Sequence, residues 1–152
     1  MFFLAMIPNS VSFSVPDDIF FAKLIHLYLV SFGKEMEFGD DIEHIAKCVA
    51  GMEKKRNDPE RIVVITCGPE PVVIAVGPNK IIKVPVKHMD AKDIIDTNGA
   101  GDAFVGGFLS QMVRGKSLEE CSHSGSKIAQ IVIKRLGCTF PNEAPSLDEL
   151  CK

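Results

Sequence analysis

The run Arg61-Ile62-Val63-Val64-Ile65-Thr66 constrains the fold more than any other part of the chain. Its consecutive β-branched side chains are stiff at χ1 and favour extended backbone. With no polar alternation, the run reads as a strand buried on both faces, so the fold must supply cover above and below it. Asn57-Asp58-Pro59-Glu60 is turn chemistry ahead of the strand, and Gly68-Pro69 stops it. Two more strand-like runs follow, over 72–76 and 80–86, and Gly77-Pro78-Asn79 between them predicts a hairpin. Upstream, Ile42, Ile45, Ala46 and Val49 recur at helical spacing, with Gly51 or Asn57 as the stop. A mixed α/β fold is expected.

Length and charge narrow the classes of function. A chain of 152 residues, 46% hydrophobic and 24% charged, suits one soluble domain with a sizeable core. A net charge of -3 provides no broad basic field for nucleic acid or an anionic membrane, so any anion site must be local. The short basic run Lys54-Lys55-Arg56 is too small to change this. Cys48, Cys67, Cys121, Cys138 and Cys151 form no CxxC pair and lack histidines at zinc-ligand spacing, so they read as reduced packing residues. His26, His44, His88 and His123 are scattered, and no metal ligand set is assigned among the side chains.

The opening is less orderly. Seven of the ten Phe residues lie in the first 38 positions. Met1 to Ile7 is apolar but lacks the basic flank of a signal peptide. Pro16-Asp17-Asp18 has the chemistry of a helix start, leading into the apolar stretch 19–32, which is too short to span a bilayer. The expected location is the cytoplasm, with the nucleus as the alternative.

The last third carries the chemistry. Ile94-Ile95 reads as the end of a short extended piece, and Asp96-Thr97-Asn98-Gly99-Ala100-Gly101-Asp102 leads into a helix with Phe104, Val105, Phe108, Leu109 and Met112 on one face. Gly106 and Gly107 inside that helix predict close packing against a neighbour or a ligand. Ser117-Leu118-Glu119-Glu120 matches a capping box, opening a second helix with Leu118, Cys121, Ile128, Val132 and Leu136 on one face and Gly137 as its close. At Gly99, Ala100 and Gly101 no bulky side chain stands between backbone N–H groups and a ligand, and the helix dipole adds positive potential. Such a loop suits phosphate. Asp102, in the first turn, is placed to accept a proton from a hydroxyl attacking that phosphoryl group. The plainer alternative is that Asp96 or Asn98 caps the helix and Asp102 merely favours its dipole. No Gly-Lys-Ser/Thr and no GxGxxG is present. Lys127, Lys134 and Arg135 read as a solvated face near the second helix's end.

The signature Asp96 to Phe104 resembles that of the ribokinase-like family of carbohydrate and nucleoside kinases. The longer run 94–111, followed by Gly137-Cys138-Thr139-Phe140-Pro141, is more similar to the family's adenosine kinase branch than to its sugar kinases. The resemblance covers about residues 34–141 and is strongest after Arg61. It implies a three-layer α/β/α ribokinase-like fold, present as its C-terminal part, with a hairpin and two final helices around an ATP site. It further implies Asp102 as base on the adenosine 5′-hydroxyl, and Gly99, Ala100 and Gly101 as the anion hole for the γ-phosphate of ATP. Asp96, Thr97 and Asn98 would shape the loop, Thr66 and Gly68 would match a nucleotide-site Thr-x-Gly, and Mg²⁺ would accompany ATP. Adenosine would become AMP, as in purine salvage.

Departures accompany the matches. Where the family's Asn-x-x-Glu is expected, ahead of Lys34-Glu35-Met36-Glu37-Phe38-Gly39, this chain has Leu27-Tyr28-Leu29-Val30-Ser31-Phe32. Residues 1–33 are therefore expected to be foreign to the kinase domain, which would occupy 34–152. The N-terminal half that supplies lid and nucleoside pocket is expected to be missing, leaving the isolated chain weakly active or inactive, with that half or an intact kinase as a partner. The alternatives are a ribokinase- or fructokinase-like sugar kinase and a non-catalytic nucleotide-binding fragment. Small molecules are the expected ligands, with neither nucleic acid nor membrane.

Overall fold

A computed structural model describes residues 4–8, 20–22, 41–52, 60–137 and 139–143. The chain forms two compact units, Met1–Lys83 and Val84–Lys152. The first unit is built on strands β1 (Leu4–Pro8), β2 (Phe20–Ala22), β3 (Arg61–Cys67), β4 (Glu70–Val76) and β5 (Lys80–Val84), with helix α1 (Ile42–Gly51). Their order in the sheet is β2-β1-β3-β4-β5, which puts the β-branched run at its centre. Ile62, Val63, Val64 and Ile65 are all 2% exposed or less, as a strand covered on both faces requires.

Alternation along the strands explains how α1 seats. Val63, Ile65 and Cys67 of β3 join Val73 and Ala75 of β4 in one cluster with Ile45, Ala46, Val49 and Ala50 of α1. Ile45, Ala46 and Val49 are positions whose spacing marks the apolar face, Ile42 packs partly buried against the cluster, and Ala50 joins them. Asp41 caps the helix, its Oδ1 accepting from the Glu43 and His44 amides at 2.9 and 3.4 Å. Arg61 Nη1 closes the other end by donating to the carbonyls of Val49 (2.7 Å) and Met52 (3.1 Å). The first residue of β3 thus satisfies orphan carbonyls at the end of α1. The stop falls at Gly51; Asn57, like Lys54, Lys55 and Arg56, lies outside the described residues.

The predicted hairpin is present as β4 and β5, joined through Gly77 at φ +58. The opening segment differs from expectation. Phe20–Ala22 is a strand, where the sequence suggests a helix, and β1 pairs antiparallel with both β2 and β3. Phe-Phe favours strand where a paired edge is on offer, and edge pairing is set by tertiary context. Pro16, Asp17, Asp18 and His26 lie outside the described residues.

The second unit contains a 3₁₀ turn (Ala91–Asp93) and helices α2 (Ala100–Met112) and α3 (Leu118–Ile133). Ser117 caps α3 in a full capping box, with Glu120 N donating to Ser117 Oγ at 3.2 Å and Ser117 N donating to Glu120 Oε2 at 2.9 Å. Helices α2 and α3 meet at glycines. A Cβ on Gly107 would stand 2.9 Å from Gly125 Cα, and one on Gly125 would stand 2.7 Å from the Phe104 carbonyl oxygen. Close packing, expected for both Gly106 and Gly107, holds for Gly107; a Cβ at Gly106 would meet nothing within 4 Å. The apolar face of α3 is also shorter than expected. Cys121 and Val132 are buried, but Leu136 is 79% exposed because the helix ends at Ile133. Ser122, Ser124 and Gly125 complete the buried side of α3, small residues that allow the close approach.

Two of these glycines predict opposite outcomes. Gly125→Ala is expected to lower stability by about 1–3 kcal/mol through overpacking against Phe104. Gly106→Ala should raise it by roughly 1 kcal/mol by removing backbone freedom at an open helical position. Urea titration of both variants checks the pair.

Candidate active site

The site expected from sequence centres on the entry to α2. Gly99 is the N-cap residue, in the left-handed region at φ 76° and ψ -4°, where glycine carries no Cβ penalty. No side chain caps this helix, in contrast to Asp41 on α1 and Ser117 on α3. Neither Asp96 nor Asn98 therefore acts as the cap that the plainer reading allows. Ala100 N reaches the Thr97 carbonyl at 3.3 Å, and Ala103 N closes on the Gly99 carbonyl at 2.9 Å. Gly101 is buried in the first turn, while Asp102 is exposed. Asp102 and the open Gly106 are four residues apart, and so share a helix face. Before the loop Ile94 has extended backbone, φ -90° and ψ 104°, but among the described residues it is paired in no strand, and Ile94 and Ile95 are 43% and 60% exposed. Ile95 N donates instead to the Ile133 carbonyl at 2.8 Å, so the end of α3 takes the bond that a neighbouring strand would otherwise offer.

Asp96 holds this loop with both carboxylate oxygens. Oδ1 accepts from Asn98 N at 2.9 Å, forming a local turn, and Oδ2 accepts from Gly137 N at 2.9 Å. Asp96 N also donates to the Ile133 carbonyl at 3.2 Å. The loop is thereby tied to the C-terminal end of α3, where Gly137 turns the chain at φ +70. The two backbone N–H groups, that of Asn98 foremost, hold the Asp96 carboxyl below the usual carboxylate range. Gly137 is the partner that sequence reasoning missed. It reads as a helix stop, and nothing local announces a bond spanning 41 positions.

Thr66 and Gly68 lie at the end of β3, in the first unit. Thr66 is half-buried, and Gly68 turns the chain at φ +62 with open space where a Cβ would stand. Cys67 between them is a packing residue, its thiol pushed up to about 11 by burial and by the charge of Glu70. Thr97 and Asn98 are exposed in the loop. Among the other candidates, Lys134 and Arg135 are exposed and Lys127 is half-buried. His44 Nε2 lies 3.4 Å from Cys48 Sγ, His88 Nε2 lies 3.8 Å from Asp90, and His123 is exposed. Cys48, Cys67 and Cys121 are in no disulfide among the described residues; Cys138 and Cys151 lie outside the described residues. No helix among the described residues is long and apolar enough to cross a membrane.

The depressed Asp96 carboxyl fixes the sign of a pH effect. Its contribution to holding the loop is complete above the unfolded carboxylate value, near 3.8, and is lost as pH falls through the lower folded value. The exchange protection of the Gly137 amide is therefore expected to stay constant from neutral pH to about 5 and to fall in stronger acid. In Asp96→Ala it should be low throughout.

Comparisons with known proteins give the family and the fold. A model of the pfkB family carbohydrate kinases matches residues 31–145. Adenosine kinase 1 of Arabidopsis thaliana is 47% identical over 104 residues, covering 68% of this chain and 30% of that protein. The adenosine kinase of Saccharomyces cerevisiae is 38% identical over 103 residues, covering 68% of this chain and 29% of that protein. The chain thus spans about 30% of the length of these curated relatives. In structure it is similar to Anopheles gambiae adenosine kinase in complex with P1,P4-di(adenosine-5) tetraphosphate, with a TM-score of 0.71, 36% identity and coverage of 79% of this chain and 36% of that one. Thermotoga maritima ribokinase, at 22% identity and a TM-score of 0.62 over 82% of this chain and 38% of that one, shares the fold. An α/β chain with a ribokinase-like fold, a glycine-entered helix and a family match over most of its length belongs to the pfkB family of carbohydrate kinases.

Proposed function

We propose that this chain carries the phosphoryl-transfer end of an adenosine kinase, in which ATP phosphorylates the adenosine 5′-hydroxyl to give AMP and ADP. The observation that carries the reading is the uncapped, glycine-entered N-terminus of α2 with an exposed aspartate in its first turn. Backbone amides at Gly99, Ala100 and Gly101 would receive the charge that builds on the transferring γ-phosphoryl oxygens, with the helix dipole adding to the attraction. Ala100 N spends its bond on a long contact to Thr97, which an anion would readily displace. Asp102 would accept the hydroxyl proton as the oxygen attacks in line. Asp96, Thr97 and Asn98 are assigned to shaping the loop, and Thr66 and Gly68 to the nucleotide site. Adenosine is favoured as acceptor because the relatives described above include adenosine kinases of a plant and a yeast, and because Schistosoma mansoni adenosine kinase, solved in complex with 2-fluoroadenosine, is similar in structure at 30% identity and a TM-score of 0.68.

Mg²⁺ would enter as the partner of ATP. Among the described residues no group of three or more His, Cys, Asp or Glu side chains converges. At nucleotide sites Mg²⁺ is held mainly by phosphate oxygens and water with one or two carboxylates. The ion would supply charge neutralisation on the phosphates; the roles given to the loop and to Asp102 do not pass through it. The free thiols support a cytosolic location. Residues 1–33 are assigned to a segment foreign to the kinase domain, and 34–152 to that domain. The chain alone is expected to bind ATP weakly and to turn over adenosine poorly, with the remainder of a family-length kinase as its partner.

A second reading, a sugar kinase, is favoured by the similarity to a probable sugar kinase from Rhizobium etli at 28% identity and a TM-score of 0.57. Joined to a family-length N-terminal part, the protein is expected to phosphorylate adenosine in preference to ribose or fructose; the reverse preference would establish the second reading. In that protein Asp102→Asn should lower kcat by about 10²–10⁴-fold, the range of a general base, with the Kd for ATP little changed. Equal losses in both would make Asp102 a structural residue.

A further inference from the structure

Asn98-Gly99 is the only Asn-Gly pair in the sequence, and the fold sets it in the loop that enters α2. The carboxamide carbon of an asparagine can close a five-membered ring on the backbone nitrogen of the residue that follows it. A side chain on that next residue obstructs the closure, and glycine has none. Three features of the structure leave this pair open to it. Asn98 is exposed to water. Gly99 stands ahead of the helix rather than within it, and among the described residues its N–H makes no hydrogen bond to a backbone carbonyl. The backbone N–H and the side-chain amide of Asn98 both bond to the Asp96 carboxylate, which gathers the carboxamide into the same tight turn. Asn79, also exposed in a turn, is followed instead by Lys80, whose side chain obstructs the ring.

We propose that Asn98 is a self-modification site, converted through a cyclic imide with Gly99 to aspartate and isoaspartate. A base in the solvent takes the Gly99 N–H proton, the nitrogen bonds to Cγ of Asn98, and the carboxamide nitrogen leaves as ammonia. Water then adds to one of the two imide carbonyls and breaks its bond to the Gly99 nitrogen. Opening at the side-chain carbonyl gives aspartate. Opening at the main-chain carbonyl gives isoaspartate, in which the backbone runs through the former side chain and gains a methylene between positions 98 and 99. One water is consumed and one ammonia released, with no change of oxidation state. Either product carries a negative charge that asparagine lacks, beside the Asp96 carboxylate and at the positive end of the α2 dipole. The functional consequence rests on the reading proposed above: at an anion hole built on Gly99, Ala100 and Gly101, the new charge competes with phosphate for the same amides.

Peptide mapping by mass spectrometry tests this on the full chain after ageing in warm, mildly alkaline buffer. The peptide carrying Asn98 is expected to gain about 1 Da and to split into two products, one of which accepts a methyl group from a protein-isoaspartate methyltransferase. Conversion should run about tenfold or more faster at Asn98 than at Asn79. Gly99→Ala should slow it to a similar degree, a result that stands even if the variant unfolds, because alanine still follows Asn98. No mass gain at Asn98, conversion no faster than at Asn79, or aspartate as the sole product would overturn the proposal. In the family-length protein, the Kd for ATP is then measured against the converted fraction, and a severalfold rise is expected. Conversion without that rise would uphold the modification and overturn the anion hole assigned to Gly99, Ala100 and Gly101.

Discussion

Everything at the candidate site depends on how closely α2 and α3 approach. The two helices meet where Gly107 faces Gly125, with hypothetical Cβ positions at 2.9 Å or less from backbone atoms of the other helix. No side chain larger than hydrogen fits either position without displacing a helix. That contact fixes where the N-terminus of α2 stands relative to the C-terminal end of α3. Phe104 and Phe108, ring centroids 5.9 Å apart, add an apolar pair on the buried side of α2. The exposed side is left to Asp102 and Gly106.

Asp96 converts this packing into a shaped loop. Its carboxylate spans Asn98 and Gly137, and its own amide joins that of Ile95 on the Ile133 carbonyl. A carboxylate near the proposed phosphate site would ordinarily repel that ligand, but here it is occupied by two N–H donors that fix its position and offset part of its charge. The loop is consequently held from both ends, by Asp96 on one side and by the first turn of α2 on the other. Under the proposed function, preorganisation of this kind would spare the chain the entropy of ordering the loop around an anion.

The fold was legible in the sequence wherever one strand or helix carried its own signal. The β-branched run, the Gly77 turn, the helical spacing of Ile45, Ala46 and Val49 and the capping box at Ser117 all stand where local chemistry put them. The misses share a cause. A helix start was expected ahead of 19–32, but Phe20–Ala22 pairs as a strand; Leu136 was placed on a buried face, but the helix stops three residues earlier. In each case the deciding partner is distant in sequence, and apolar periodicity carries no information about it.

By itself the sequence determined the composition of the site: glycines that put no side chain over the helix entry, an aspartate in the first turn, and a signature specific enough to name a kinase family. It also determined the central strand, because stiff β-branched side chains leave the backbone few other conformations. Tertiary structure alone decided which of two adjacent glycines is a packing residue and which is open, and it alone supplied the Asp96 to Gly137 bond and the strand on the free side of β3. The physical reason is the same throughout. Local propensity acts over a few residues, whereas steric fit between helices and hydrogen bonds across 41 to 61 positions exist only once the chain has brought the partners together.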